Sequence, residues 1–442
     1  MKLMRRPTAL SLMSIDHLLR KHVFKSTFMS SIALSKLLAL LIPLAVFSLP
    51  TLLMAQAGSL DPTFGVNGIV TTANTSANAS AIQSDGKIVV AGAISTVQNP
   101  EQPGLLRYTS NGTLDPGFGT GGELMIALAS SNTGAAFAVA IQTDGKILAA
   151  APADLDLTIF RFNTNGSPDT TFGSNGAVAI PAAGLFIGQS SGAMTVQSDG
   201  KILIVTRSIV ARLLANGQLD STFGSNGAAP TVGGQSVALL PNGEILIGIG
   251  SVMSLYTANG SLETRFGVNG QTAGFTFNGA GGFAVSTNTI TNVTKIITAG
   301  SITTSPSLTS AQTITGFLLV RYNSDGTVDN NFGRHGGVAT PFPGNILAHA
   351  FAVALQTNGD IVAAGQTALT DVDAIPGPSD FGLARYNANG KIDTTFGNAG
   401  FVSTSFGNSE AFVKIVLIQT DGKIVATGNS NNGTTIARYL AN

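Results

Sequence analysis

A sevenfold internal repeat constrains this chain more than any other feature of its sequence. A Phe-Gly pair, usually within Leu-Asp-x-x-Phe-Gly-x-x-Gly, returns about every 55 residues, a spacing near that of known repeat families. The seven phenylalanines are Phe64, Phe118, Phe172, Phe223, Phe266, Phe332 and Phe396. Because one unit of this size cannot bury a core alone, the units must stack on one another. We therefore expect residues 58–442 to form one body.

Each unit has the pattern of four short β-strands joined by tight turns. Asp-Gly-Lys or a similar tripeptide lies between two apolar runs, as at Asp85, and Asn-Gly lies between two more, as at Asn111. Such turns between apolar runs are strong hairpin signals. Seven units of this kind predict an all-β fold, a seven-bladed β-propeller of four-stranded antiparallel blades. A linear β-solenoid is the alternative, although its rungs are usually shorter.

The two ends of the repeat array complement each other. The last unit stops after Arg438-Tyr439 without a Leu-Asp-x-x-Phe-Gly segment, and such a segment stands alone at residues 60–65. We expect this N-terminal segment to supply the fourth strand of the last blade, because that removes two open sheet edges at once.

An arginine in the third strand and an aspartate eight residues later recur together. If three-residue turns join the outer strands, the two side chains face each other and fix the register. The predicted pairs are Arg107 with Asp115, Arg161 with Asp169, Arg212 with Asp220, Arg321 with Asp329, Arg385 with Asp393 and, across the ring closure, Arg438 with Asp61. In the fourth unit Leu255 and Glu263 take these positions. Near a surface, each pair would contribute only about 0–1 kcal/mol.

The repeat resembles the bacterial delta-60 repeat, a β-propeller family of unknown function. The resemblance rests on the Gln-x-Asp-Gly-Lys-Ile turns at residues 83–88, 142–147 and 419–424, and on the Arg-Tyr to Phe-Gly stretch at 385–397. It covers essentially all of 58–442, with the fourth and fifth units departing most. The resemblance implies an exported or surface propeller and assigns no catalytic residues.

The first 57 residues have the features of an export signal. Residues 37–54 are almost wholly apolar, basic residues precede them, and Ala55-Gln56-Ala57 matches the small-x-small pattern of a signal peptidase site. We expect cleavage before Gly58 and export of 58–442 to the periplasm, the cell surface or the extracellular space. An uncleaved signal would instead act as a membrane anchor, and translation from Met29 would shorten the signal.

Composition narrows the possible chemistry. The chain has no Cys, which excludes disulfides and thiolate metal sites. Much of the basic charge lies in the first 57 residues, and the mildly acidic remainder offers no basic patch for nucleic acid. Residues 117–122 match G-x-G-x-x-G but lack the strand–turn–helix context of a dinucleotide site. We expect a monomer without cofactor or metal.

Binding is expected on the face that carries the variable connections, opposite the tight hairpins, because such loops on a rigid scaffold usually hold function. The candidate binding residues are Phe186, Phe275, Phe277, Phe342, His349, Asp371, Asp373 and Asp380. Burial as a loop anchor is the alternative for each aromatic residue. We expect a non-enzymatic scaffold for a protein or glycan partner.

An enzyme and a structural cell-surface component are the alternative functions. A hydrolase or lyase acting on polysaccharide would place a carboxylate pair in the central mouth. The innermost strands, near residues 79–83, 136–142 and 350–356, are instead Ala-rich and nearly uncharged, although loops could supply acids. Lys414 is the rare charged residue in such a strand.

Overall fold

The computed structural model describes eleven stretches of the chain. They are residues 56–97, 101–128, 134–153, 156–180, 191–231, 233–272, 282–288, 293–304, 314–344, 347–369 and 378–441. All of them belong to the unit Ala55–Asn442, while the other unit, Met1–Met54, lies outside the described residues. Within these stretches, no helix has the length and apolar character needed to cross a bilayer.

The strands form seven antiparallel sheets, numbered as blades 1 to 7 in chain order. The innermost strands are β2 (Thr75–Ile82), β6 (Ala138–Ile141), β10 (Gly192–Val196), β14 (Ser236–Leu239), β17 (Phe283–Asn288), β21 (Leu347–Leu355) and β25 (Ala411–Ile418). The second strands are β3 (Ile88–Ile94), β7 (Ile147–Ala153), β11 (Ile202–Thr206), β15 (Ile245–Ile249), β18 (Val293–Thr304), β22 (Ile361–Ala368) and β26 (Ile424–Ser430).

The third and fourth strands complete the blades on the outside. The third strands are β4 (Gln102–Tyr108), β8 (Asp156–Phe162), β12 (Ile209–Leu213), β16 (Val252–Tyr256), β19 (Ile314–Asn323), β23 (Asp380–Tyr386) and β27 (Gly433–Tyr439). The outer strands of blades 1, 2, 3, 5, 6 and 7 are β5 (Glu123–Met125), β9 (Ala177–Ile180), β13 (Ala228–Pro230), β20 (Gly337–Thr340), β24 (Phe401–Thr404) and β1 (Ile69–Thr72).

The all-β, seven-bladed propeller predicted from the repeats is confirmed. Blade 4 departs from the four-stranded pattern. Among the residues that the structure describes, its sheet has three strands, and the outer edge carries two isolated bridges, from Ser254 to Gln271 and from Tyr256 to Leu262. The fourth unit was also the one in which the arginine and aspartate positions had changed.

The N-terminal segment lies against the last blade, where β1 is antiparallel to β27, with Ile69 opposite Ala437. The prediction that the Leu-Asp-x-x-Phe-Gly segment is itself the fourth strand is wrong. Leu60 makes a single bridge to Tyr439, and the chain then turns, because the Asp61 carboxylate accepts the Thr63 N–H at 2.9 Å. The residues after that turn form the outer strand.

Two segments far apart in sequence build the outer turn of blade 7. The Gly58 N–H donates to the Leu440 carbonyl at 2.8 Å, and the Leu440 N–H donates to the Ser59 carbonyl at 2.9 Å. The same two bonds close the continuous turn of blade 1, where the Gly112 N–H donates to the Thr109 carbonyl at 2.9 Å. Gly58 and Gly112 both have a positive φ, which favours glycine.

The seven Phe-Gly rings are buried between adjacent blades, and each is at most 1% exposed. Phe64 shows why the Asn-Gly turns need glycine. A Cβ on Gly112 in blade 1 would lie 2.9 Å from Cε2 of Phe64 in the outer turn of blade 7. The ring of one blade therefore occupies the space left open by the glycine of the next, and the core is a series of contacts between blades.

Candidate ligand site in the central channel

The Arg–Asp pairs lie on the face of the ring that carries the tight turns, here called the hairpin face. In all six pairs the arginine Nε donates to the aspartate Oδ2 at 2.7 to 2.9 Å. The structure thus brings together every pair that the sequence predicted. It also buries them, since the Arg438 and Asp61 side chains are only 6% and 2% exposed. The value of about 0–1 kcal/mol that applies to a surface pair therefore does not apply to them.

Each of these arginines also joins its blade to the next one. Its Nη1 donates to a backbone carbonyl in the neighbouring outer turn, and its guanidinium carbon lies 4.5 to 4.7 Å from the centroid of its own Phe-Gly ring. The carbonyls belong to Thr164, Ala215, Ala258, Ala388, Ala441 and Ser110. We call each set of arginine, aspartate and ring a latch, because it connects two blades.

Asp169 and Asp220 are latch aspartates whose surroundings favour the ionised carboxylate. The Thr222 hydroxyl donates to Asp220, and this bond, with the Thr222 N–H and the Arg212 charge, outweighs burial and lowers the pKa of Asp220 to about 2. Burial raises the pKa of Asp169, but the bonds from Thr171 and Lys146 and the Arg161 charge lower it well below its usual value. These carboxylates are therefore charged and fully engaged at neutral pH, which suits a structural role.

Blade 4 has no latch. Leu255 packs in the core beside Phe266, and Glu263 pairs with Arg265, whose side chain is 88% exposed. A backbone bond from the Gly267 N–H to the Asp325 carbonyl still ties blade 4 to blade 5. This contact between blades therefore keeps the main-chain bond of the other junctions and lacks the side-chain one.

The loop candidates from the sequence have different fates. Phe186, Phe275, Phe277, Asp371 and Asp373 lie outside the described residues. Phe342 is buried, with its ring centroid 4.7 Å from Phe317 and 5.0 Å from Phe401. The prediction that Phe342 binds a partner is therefore wrong, because its ring fills the core between blades 5 and 6. Asp380 accepts a hydrogen bond from the Ser403 hydroxyl at 2.7 Å at the start of β23.

The central channel is lined by the innermost strands of all seven blades and encloses about 590 Å³. Three of these strands, β2, β21 and β25, contain a β-bulge in which one residue has no partner opposite. The extra residues are Asn78, Phe351 and Lys414, from blades 1, 6 and 7. A bulge re-aims a side chain, and all three of these residues line the channel.

Glycines in the second strands make room for the bulges. Gly92, Gly365 and Gly428 each face the residue just before the bulge. A Cβ on Gly428 would lie 2.0 Å from the Phe412 carbonyl oxygen, and one on Gly365 would lie 1.8 Å from that of His349. Only glycine permits this close approach of two backbones.

The side chains at the bulges form one continuous cluster across blades 6, 7 and 1. The His349 ring stacks on Phe351 at 6.1 Å, and Phe351 meets Phe412 edge-on at 6.3 Å. The Lys414 ammonium lies 5.7 Å from the centroid of Phe412. We call these residues, with Asn78, the channel cluster. His349 was a sequence candidate, and its Nδ1 lies 2.9 Å from the Ser301 hydroxyl.

Lys414 is held by a neutral partner. Its Nζ donates to the Asn78 Oδ1 at 2.7 Å, and the Asn78 amide nitrogen donates to the Ala136 carbonyl in blade 2 at 3.2 Å. Among the channel-lining residues that the structure describes, Lys414 is the one with a charge. Burial lowers the pKa of its ammonium below the usual value. The channel therefore presents a partly desolvated positive charge beside an amide and two aromatic rings.

Neither the described cluster nor its surroundings resemble a metal site, since no group of three or more His, Asp or Glu lies together in the described ranges. Sequence reasoning missed Asn78, Phe351 and Phe412 as site residues. A lysine in an Ala-rich inner strand was a visible signal for Lys414. Nothing in the local sequence predicts the bulges, because they depend on which backbone lies opposite.

The fold and the latches together define a β-propeller that is built from sequence repeats. Five of its repeats match the family described as "Domain of unknown function (DUF5122) beta-propeller", at residues 83–118, 142–172, 197–223, 295–332 and 356–396. In these repeats the chain matches the model of that propeller family of unknown function, as the resemblance predicted. Comparison with curated proteins gives no match.

Solved structures share the fold at low identity. Virginiamycin B lyase from Staphylococcus aureus is 10% identical with a TM-score of 0.50, over 84% of this chain and 98% of the lyase chain. YCF48 bound to D1 peptide is 10% identical with a TM-score of 0.47, over 89% and 100%. The PQQ-bound aldose sugar dehydrogenase from Streptomyces coelicolor is 11% identical with a TM-score of 0.38, over 84% and 97%. At 10% identity, the likeness to the lyase supports the fold alone.

Proposed function

We propose that the protein is an exported binding propeller that takes its partner at the loop-side mouth of the central channel and does not transform it. The channel cluster carries the proposal. Three bulges in the successive blades 6, 7 and 1 turn an aromatic ring, an ammonium and an amide toward one space. Bulges concentrate next to functional sites, where they place a side chain.

The size and character of the channel support the same function. A volume of about 590 Å³ falls in the usual range for ligand sites, which are mostly apolar with a few placed polar groups. Phe351 and Phe412 are half-buried, so part of each ring is available to a partner. The latches hold the blades together on the hairpin face, opposite the loop face where the proposal places the partner.

Export is the part of the proposal that rests on the leader. The apolar stretch 37–54 and the Ala55-Gln56-Ala57 site support transfer across a membrane. In that case a protein or glycan partner would be met in the periplasm, at the cell surface or outside the cell. A polysaccharide-acting enzyme and a structural surface component are the functions that the following experiment separates from binding.

The test compares glycan-array and peptide-array binding of the purified protein with that of Phe351→Ala. Val66→Ala is the control, because Val66 is a large apolar residue, 78% exposed, in the outer turn of blade 7. We expect the protein and the control to capture the same ligands, and Phe351→Ala to lose them without a change in melting temperature. Equal capture by all three proteins, or conversion of a captured glycan into products, would contradict the proposal.

A further inference from the structure

The positive charge of Lys414 indicates which class of ligand the channel can bind. The lysine lies in the fourth position of β25, at the bulge between Val413 and Ile415. Its ammonium donates one hydrogen bond, to the uncharged Asn78 Oδ1 at 2.7 Å, and forms no ion pair within the part of the chain that the structure describes. A partly buried cation that contacts an amide oxygen and a ring face, but no anion, is not fully compensated for its lost hydration.

The surroundings of Lys414 fix the orientation of its amide partner. Because the Asn78 amide nitrogen donates to the Ala136 carbonyl, its oxygen is the atom that faces Lys414. One donor position of the ammonium is used in this way, and an ammonium has three. The remaining donors lie in a channel whose described lining is otherwise uncharged and mixes apolar side chains with polar ones such as Ser80, Ser191 and Gln235.

We propose that the channel binds a carboxylate carried on an apolar or ring-shaped body, with the carboxylate accepting from Lys414 and the body lying against Phe412 and Phe351. A charge-assisted bond of this kind satisfies the ammonium. The two rings offer apolar surface to the rest of the ligand, and the cavity of about 590 Å³ admits a small organic acid. Burial lowers the pKa of Lys414 because it disfavours the charged ammonium, and a bound anion would stabilise that charged form. The inference rests on the proposed function in placing a ligand in this channel, and it adds the chemical class.

Calorimetric titration with three carboxylates tests the inference and separates possible sources of the group. Octanoate represents an acyl chain, phenylacetate an aromatic acid, and glucuronate an acidic sugar, all at low ionic strength. We expect at least one to bind the protein, and phenethyl alcohol, a neutral analogue of phenylacetate, to bind far more weakly than its acid. The carboxylate that binds most tightly identifies the kind of body.

Variants of Lys414 show whether the charge is responsible. We expect Lys414→Met to weaken carboxylate binding at least about tenfold, as the loss of a charge-assisted bond implies, and Lys414→Arg to retain most of it. Lys391→Met is the control, because Lys391 is exposed in an outer turn of blade 6, and it should bind as the unchanged protein does. Lys414→Met should melt at the same temperature or higher, since it removes a desolvated charge.

Three results would overturn the inference. They are the absence of binding by all three carboxylates, equal carboxylate binding by Lys414→Met, and a large fall in melting temperature for Lys414→Met, which would make Lys414 a structural residue. If carboxylates fail to bind while Phe351→Ala still loses its array ligands, the carboxylate inference fails and the proposed binding function stands. If carboxylates bind and array capture is insensitive to Phe351→Ala, the carboxylate inference stands and the proposed binding function fails.

Discussion

The latch arginine shows how much one side chain can do in a repeat protein. Arg161 donates to Asp169 at 2.7 Å, reaches the carbonyl of Ala215 in the next blade and lies above the ring of Phe172. The planar guanidinium permits all three contacts at once, which a lysine ammonium could not make. The residue therefore fixes register within its blade and also connects that blade to its neighbour.

We predict that Arg161→Met lowers the free energy of unfolding by about 3 kcal/mol, because it removes the charge-assisted bond to the buried Asp169 carboxylate together with the bond to the next blade. Arg265→Met is the matched control, since Arg265 forms the corresponding ion pair on the surface of blade 4, and it should have no measurable effect. Urea unfolding followed by far-ultraviolet circular dichroism measures both. Equal effects would show that the latch contributes no more than a surface pair.

At the scale of the strand, the bulges explain how a regular repeat acquires a site. β2, β21 and β25 each gain one residue relative to their partner strands, while the hairpin that follows keeps the common register. The insertion changes which side chains face the channel without disturbing the latches at the other end of the blade. Glycine in the second strand is the condition for this, because the two backbones meet there.

We predict that Gly428→Ala lowers the free energy of unfolding by about 3 kcal/mol, because the new Cβ would overlap the Phe412 carbonyl. Gly134→Ala is the control, since its Cβ would have no neighbour nearer than 3.4 Å and its φ is not positive. Thermal unfolding of the two variants measures the difference. A loss that is the same in both would mean that the glycine does not hold the bulge.

At the scale of the molecule, the closing blade and blade 4 differ in their latches and in their outer strands. The closing blade has its latch, Arg438 with Asp61, and an outer strand of four residues. In the described residues, blade 4 lacks both the latch and a regular outer strand. Blade 7, which joins distant parts of the chain, thus has a latch and a regular outer strand that the described part of blade 4 lacks.

An engineered disulfide tests the closure directly, because the chain has no cysteine of its own. Thr71 and Thr435 face each other across β1 and β27, with their hydroxyl oxygens 3.4 Å apart. We predict that Thr71→Cys with Thr435→Cys forms a disulfide in air and raises the free energy of unfolding by about 4 kcal/mol, as closing a long loop implies. Thiol titration and thermal unfolding with and without reductant measure this.

The control moves one cysteine by a single position. In Thr71→Cys with Thr434→Cys, the second cysteine points to the other side of the sheet, because a one-residue shift reverses the face. It should keep both thiols free. Disulfide formation in the control but not in the test pair would place β1 in a different register.

Some features could not be predicted from the sequence for identifiable reasons. Phe342 was expected on the loop face, and it is buried because a ring beside a short connection can turn inward as easily as outward. The Leu-Asp-x-x-Phe-Gly segment was expected to be a strand, and the carboxylate of Asp61 turns it instead. The spacing of Arg438 and Asp61 did predict their contact, since a hairpin converts a fixed spacing into a fixed pairing.

The sequence by itself determined the number of blades, the hairpins and five of the six Arg–Asp pairs, because these depend on the repeat and on contacts between residues close together within it. The sixth pair, Arg438 with Asp61, was predictable from the complementary ends of the repeat array. Only the tertiary structure decided the burial of the latches, the lack of a regular outer strand in the described part of blade 4, and the channel cluster. Lys414 and Asn78 are 336 positions apart, and they meet because ring closure puts blade 7 beside blade 1. Such a contact depends on the geometry of the whole ring, which no local pattern contains.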